Sequence, residues 1–194
     1  RPNTIKDNGL NAVAVKGSMR NARVWLPLSG IPYVVTDDVD VASPTTFEIR
    51  PGVVVKFENA RITTSRGTLV AEGTPDNPIV FTSVLDDAVG LPARTSDGAP
   101  APGDWEGLVF TATGGGGRLK HVQIRYTGGA NTPAVTVGKR GIPVDHGKIS
   151  DGSNVCILID IPATDLSVSP VSVVDSEIKN MFGDAVKITA QAAS

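Results

Sequence analysis

The sequence predicts an all-β chain wound as a parallel β-solenoid, and three observations lead there. Of 194 residues, 25 are Val, 13 Ile and 17 Thr, against 10 Leu; β-branched side chains suit a pleated strand and lose rotamers in a helix. The 21 Gly and 14 Pro put a breaker at about every fifth or sixth position, and the longest stretch free of both, 53–66, itself reads as strand. That leaves no room for the long helices of a bundle, a coiled coil or a doubly wound α/β fold. Finally, the strand-like pieces are mostly three to five residues long, and the two-residue turns that join hairpins in a sandwich are few. Asp97-Gly98 lies in a polar loop, and only a weak strand precedes Asp151-Gly152.

In chain order the pieces bounded by turn residues are Ala12–Val15, Tyr33–Val35, Thr46–Ile49, Val53–Phe57, Arg61–Thr64, Thr68–Ala71 and Ile79–Thr82. Gly107–Phe110, Arg118–Tyr126, Ala134–Val137, Asn154–Ile159, Val171–Val173 and Ala185–Ile188 follow. Pro51-Gly52 turns the chain before Val53–Phe57, whose alternate residues fill the lumen. Gly67 and Gly73 permit bends where neighbouring turns approach closely. Gly114 to Gly117 reads as a flexible turn; no Lys-Ser/Thr follows it, so it is not a phosphate loop. Cys156, the one cysteine, sits in an apolar run and reads as a small buried hydrophobe.

In a solenoid each strand pairs with its equivalent one turn on, at about 4.8 Å, so similar residues return every 20–25 or so positions. A turn of about 22 residues predicts roughly eight or nine turns in one domain spanning 1–194. An internal template supports this: Ile178-Lys179-Asn180 precedes Ala185-Val186-Lys187-Ile188, Ile124-Arg125-Tyr126 precedes Ala134-Val135-Thr136-Val137, and Ile5-Lys6-Asp7-Asn8 precedes Ala12-Val13-Ala14-Val15. Asn8 and Asn180 fall where a sharp bend needs a left-handed residue, which asparagine tolerates.

Charge and hydropathy narrow the function. Lys+Arg of 18 against Asp+Glu of 20 gives a net charge of −2, which makes no electrostatic case for nucleic acid. No apolar run reaches the 18 or so residues of a membrane span. Two histidines and one cysteine cannot build a Cys/His zinc site with the usual spacings.

Between Pro32 and Gly129 the chain resembles a right-handed parallel β-helix repeat of bacterial secreted and cell-surface proteins, in the pectin-lyase-like fold class. The likeness rests on Ile49-Arg50-Pro51-Gly52-Val53-Val54-Val55-Lys56-Phe57, Gly67-Thr68-Leu69-Val70-Ala71-Glu72-Gly73-Thr74, Asn77-Pro78-Ile79-Val80-Phe81-Thr82-Ser83 and Gly103-Asp104-Trp105-Glu106-Gly107-Leu108-Val109-Phe110. It continues through Leu119-Lys120-His121-Val122-Gln123-Ile124-Arg125-Tyr126. The resemblance implies an extracellular location and a structural role.

Some members of that fold class cleave polysaccharides, so carboxylate sites need weighing. The richest acidic stretch, 83–107, holds Asp86, Asp87, Asp97, Asp104 and Glu106. It reads as a long solvated loop, with Asp86, Asp87, Asp97 and Asp104 as the Ca²⁺ candidates. Asp38 and Asp40 alternate with Val39 and Val41, which places both carboxylates on an outward face. His121, Gln123 and Arg125 share a strand face by period two, and with Trp105 and Tyr126 they are the candidates for glycan contact. Trp25, Tyr33, Trp105 and Tyr126 are expected as exposed aromatics, with Trp105 covering an apolar edge while its N–H stays wet.

The expectation is a non-catalytic extracellular scaffold or adhesion module with no required cofactor, self-associating through its turn ends or with neighbouring domains of the same protein. The match between first and last turns suggests a segment of a longer solenoid or a subunit that stacks end to end. A carbohydrate-binding module, with cell-surface polysaccharide as partner, is the alternative, and a polysaccharide lyase or hydrolase the second.

Overall fold

The computed structural model describes residues 4–42, 44–94, 98–138, 142–161 and 171–190. It is a right-handed parallel β-solenoid of about six turns. Among the described residues the only helical piece is the short 3-10 turn Gly129–Asn131.

The first turn comprises β1 (Val13–Met19) and β2 (Arg23–Trp25), the second β3 (Tyr33–Val41) and β4 (Thr46–Ile49). Three strands then make each turn: β5 (Val54–Phe57), β6 (Arg61–Thr64) and β7 (Thr68–Glu72); β8 (Ile79–Ser83), β9 (Gly107–Phe110) and β10 (Gly116–Lys120). Next come β11 (Val122–Arg125), β12 (Val135–Val137) and β13 (Val144–Asp145), then β14 (Lys148–Gly152), β15 (Ile157–Ile161) and β16 (Val173–Val174). β17 (Glu177–Met181) and β18 (Val186–Ala190) begin a further turn.

The strands stack into three faces. The first runs from β17 through β14, β11, β8 and β5 to β3, and the second from β3 through β6, β9, β12 and β15 to β18. Because β1 and β3 bend in mid-strand, these two faces join as one 12-stranded sheet; the third face holds six strands. In β1 the register breaks between Val15 and Gly17, where a φ of 85° suits glycine alone.

On the first face Val13, Tyr33, Val55, Phe81, Ile124, Ile149 and Ile178 stand one above another. Successive turns therefore take 20, 22, 26, 43, 25 and 29 residues. The eight or nine turns expected are thus about six, because most turns exceed 22 residues and one carries a long insertion. The template is corrected as well. Ile124 and Val135 do stack towards Ile178 and Val186, but Val13 lies on the first face and Val186 on the second. Ala12–Val15 is therefore not the equivalent of Ala185–Ile188.

The lumen is filled as the period-two pattern requires. Val53, Val55 and Phe57 are buried inward, with Phe47, Ile62, Leu69, Phe81, Leu108 and Leu119 around them. Each such side chain contributes about 1.5–3 kcal/mol on leaving water. Cys156 is part of this core, and burial pushes its thiol up to about 12. Gly67 and Gly73 sit at close approaches: a Cβ on Gly73 would lie 2.9 Å from the Ile79 nitrogen. Gly116 and Gly117, expected in a flexible turn, instead open β10 and pair with Thr68 and Leu69.

Two corners flanking the first face are single left-handed residues repeated turn after turn. His121, His146 and Asp175 have φ of 45°, 54° and 47° at one corner; Tyr126, Asp151 and Asn180 have 63°, 58° and 53° at the other. Outside glycine this conformation is commonest in Asn, Asp and His. Asn180 bends as expected; near the start the left-handed residue is Asp7, not Asn8. Arg118–Tyr126, expected as one strand, is β10 and β11 folded apart at His121.

Candidate functional site

The outward side of the first face is roofed in part and bare in part. Residues 84–94, which follow β8, fold back over its early turns. Val84 and Ala93 pack on Val34, with Leu10, Ala12 and Leu85 around them. Lys56 points outward from β5 and is fully buried beneath this strap. Its Nζ donates to the Leu91 carbonyl at 3.1 Å and lies 3.7 Å from Asp87 Oδ1. Burial pushes the Lys56 ammonium below its ordinary range, and the carboxylates of Asp87 and Asp86 oppose that shift. Leu91 N–H donates to the Gly30 carbonyl, Asn11 N–H to that of Ala93, and Arg94 pairs with Glu58. Residues 84–94 of the solvated loop expected from composition are instead a folded cover.

The acidic candidates are placed separately. Asp86 is buried; its Oδ2 accepts from Thr82 Oγ1 at 2.6 Å, and its Oδ1 from Ala88 N–H at 3.1 Å. Asp87 is 47% exposed beside Lys56. Asp104 Oδ2 accepts from Ser83 Oγ at 2.6 Å and from Ala101 N–H at 3.0 Å. Asp97 lies outside the described residues. Among the described residues no three His, Cys, Asp or Glu side chains form a group that could hold a metal ion. Asp38 and Asp40 point outward as expected. Asp38 accepts from the Arg61 backbone N–H and Nε, both at 3.1 Å, and Asp40 from Ser65 N–H at 3.3 Å. Arg61 also reaches Glu106 at 3.2 Å, so these carboxylates tie adjacent turns together.

Three of the four aromatics expected at the surface are buried. Trp25 stacks on Tyr33 at 4.5 Å, and Tyr33 Oη donates to the Leu26 carbonyl. Trp105 lies in the core, stacked on Phe57 at 4.0 Å and 9°. Its Nε1–H is not wet but donates to the Arg125 carbonyl at 2.7 Å. A flat indole 4.0 Å from a lumen phenyl buries more apolar area than an edge position would, which is the reason for the difference. In this position Trp105 is out of reach of a glycan.

The other glycan candidates do gather, along the bare part of the first face. There Gln123, Lys148 and Glu177 form one outward ladder across β11, β14 and β17, and Arg125, Ser150 and Lys179 the next. A cleft of 560 Å³ opens over the first ladder, with His121 and His146 at its corner and Pro75 and Pro78 as a wall. A neighbouring cavity of 250 Å³ is lined by Arg125, Tyr126 and Ser150. His121 is a corner residue rather than a strand partner of Arg125, yet both face this trough.

Within it, Arg125 Nη2 donates to Gln123 Oε1 at 3.2 Å, and Nη1 lies 3.6 Å from Asp86 Oδ2, at the edge of the strap. Burial and the carboxylates of Asp86 and Asp151 push the Tyr126 phenol above its ordinary range. His146 Nδ1 lies 2.5 Å from Asp145 Oδ1, and Lys120 Nζ 3.1 Å from Asp145 Oδ2. Those two bonds hold the Asp145 carboxyl below its usual range. Lys148 has no ion-pair partner among the described residues. The arrangement offers rings, an amide, cations and carboxylates on a flat face, a set able to hydrogen-bond hydroxyl-rich or charged ligands.

Sequence reasoning missed Lys56, His146 and Lys148. The pairing of His121 with His146 was recoverable only from a turn length near 25, which the register supplies. Comparison with protein-family models, curated proteins and solved structures returns no match.

Proposed function

We propose that this chain is a non-catalytic scaffold or adhesion module, a length of β-solenoid that stacks head to tail with further copies outside the bacterial cell. The observation that carries this reading is the last turn. Among the described residues β17 and β18 pair only with β14 and β15, so a further turn of solenoid can add to them. Lumen-facing Val186 and Ile188 are 44% and 65% exposed there, and Phe182 beside them 82%. Free strand edges lined with apolar side chains invite strand addition. β1 is likewise paired on one side only among the described residues, and a parallel ladder continues in a single sense. The outer edges of β17 and β18 therefore match that of β1 in another copy, a heterologous contact that grows into a filament. Asp38, Asp40, Asp86 and Asp104 are committed to hydrogen bonds within the fold, which supports a role without turnover. The extracellular setting rests on the β-helix resemblance.

Light scattering across a hundredfold concentration range, with negative-stain images of the concentrated end, tests the proposal. Growth into rods, abolished by Ile188→Lys, is the expected result; strict monomers at every concentration would overturn it.

The bare trough favours a second reading, carbohydrate binding by Tyr126, Arg125 and His121. It expects saturable binding to a polysaccharide panel that is lost in Tyr126→Ala, with an unchanged melting temperature. Binding that survives this change would remove that reading.

A further inference from the structure

The chain has two histidines, and the solenoid brings them together. His121 follows β10 and His146 follows β13, at the same corner of adjacent turns. The His121 backbone N–H donates to the Asp145 carbonyl and that of His146 to the Val174 carbonyl, both at 2.9 Å. The main chain is thus fixed by the ladder, not by the rings. The ring centres stand 4.6 Å apart with planes at 46°. We infer that the His121–His146 pair is a two-imidazole binding site for one divalent transition-metal cation of the Cu²⁺, Ni²⁺ and Zn²⁺ class.

The spacing supports this first. With metal–nitrogen bonds of about 2.0–2.1 Å, two imidazoles on adjacent positions of one ion hold their ring centres roughly 4.5–5.2 Å apart. The pair already stands at that separation.

The tautomer supports it next. Asp145 takes the Nδ1 side of His146 and is itself paired to Lys120. A carboxylate that accepts from Nδ1–H leaves the lone pair on Nε2 and raises its basicity as a ligand. Nε2 faces Asp175 Oδ2 on the next turn at 3.8 Å, too long for a hydrogen bond. A metal held by Nε2 would bring that carboxylate close enough to bind a metal-bound water. His146 borders the open cleft, which gives the ion a path in. With no preformed third ligand among the described residues, water completes the coordination shell. A bound ion would clip one turn to the next in the bare part of the first face, stabilising the fold by mass action.

The test uses the whole chain, stripped by chelator dialysis and titrated calorimetrically with Cu²⁺, Ni²⁺, Zn²⁺ or Mg²⁺ alone at pH 7.5 and 5.5. Expected are one equivalent bound, Cu²⁺ tightest, no response to Mg²⁺, and at least tenfold weaker binding at pH 5.5 as protons compete for the rings. His121→Asn and His146→Asn keep a residue that accepts the left-handed corner, and each should weaken binding at least tenfold with the metal-free melting temperature unchanged. Asp145→Asn should weaken it several-fold. If either variant melts early, the electron paramagnetic resonance spectrum of the wild-type Cu²⁺ complex decides instead, with two coordinated nitrogens expected. Binding unchanged in both histidine variants, a spectrum without two nitrogens, or no saturation below millimolar metal would overturn the assignment.

Discussion

The first face of the solenoid has one backbone ladder and two surfaces. In its early turns the outward residues Val34, Lys56 and Thr82 are wholly buried under the strap; three turns later Lys148, Glu177 and Lys179 stand in water. One outward column runs Val54, Val80, Gln123, Lys148, Glu177, changing from apolar to polar where the strap stops. The lumen fixes what a strand places inward, whereas the outward residues answer to whatever the inserted segment covers. The roofed half becomes a second small core, and the bare half remains a trough able to take a ligand.

Trp105 is the seam between these halves, so its loss should have the largest effect. It stacks on Phe57 under the roofed turns and donates to the Arg125 carbonyl in the first bare strand. Trp105→Ala should lower unfolding stability by about 3–5 kcal/mol, read from urea denaturation. A loss under about 1 kcal/mol would show that this ring does not join the two halves.

Next comes a matched pair on the two surfaces. Val34→Asp places a carboxylate beneath the strap and should cost about 3 kcal/mol. Gln123→Asp, outward in the bare part, should stay within about 0.5 kcal/mol. Equal urea midpoints for the two would erase the distinction between roofed and bare.

The same distinction explains how far the sequence could be read. Inward alternation and β-branched content predict the solenoid and most strands, since every turn needs the same lumen. β14 escapes that reading, because Lys148-Ile149-Ser150-Asp151-Gly152 carries one large aliphatic among polar residues; β17 is caught only through the Ile178-Lys179-Asn180 template. The corner at His121 also escapes, because a single left-handed residue without Gly or Pro leaves no mark. Of the residues that line the trough, His121, Arg125 and Tyr126 are among the candidates named from sequence; the burial of Trp105 and the roof formed by 84–94 are not legible there. Those depend on a segment packing against residues 35 or more positions away, and no local pattern encodes such contacts.

Lys56 should show a smaller effect with a distinct pH signature. Its ammonium is buried, while its counter-charge Asp87 can return to water, so Lys56→Met should leave stability at pH 7 within about 1 kcal/mol of wild type. Because the folded pKa lies below the ordinary value of 10.5, the unfolded chain binds more protons between the two values. Wild-type stability from this group therefore rises with pH across that window. Urea midpoints from pH 8 to 10.5 should show the rise in wild type and its loss in Lys56→Met; parallel profiles would mean the strap admits water to the amine.

The smallest effect belongs to the bare half and has its pH window at the opposite end. Asp151 is held below its ordinary value of 3.8, first by the Ser150 hydroxyl, then by the Asn180 amide and the charges of Lys179 and Arg125, with desolvation opposing. A carboxyl whose folded pKa is depressed contributes above its unfolded value and loses that contribution as pH falls through the folded one. Asp151→Asn retains the left-handed corner and should cost no more than about 1 kcal/mol at pH 7. Below the folded pKa the two proteins should unfold at the same urea concentration. Lys56 beneath the strap would then mark the roofed half by an alkaline gain, and Asp151 the bare half by an acid loss. An Asp151→Asn deficit that persists undiminished at pH 2.5 would place the role of this residue in corner packing rather than in charge.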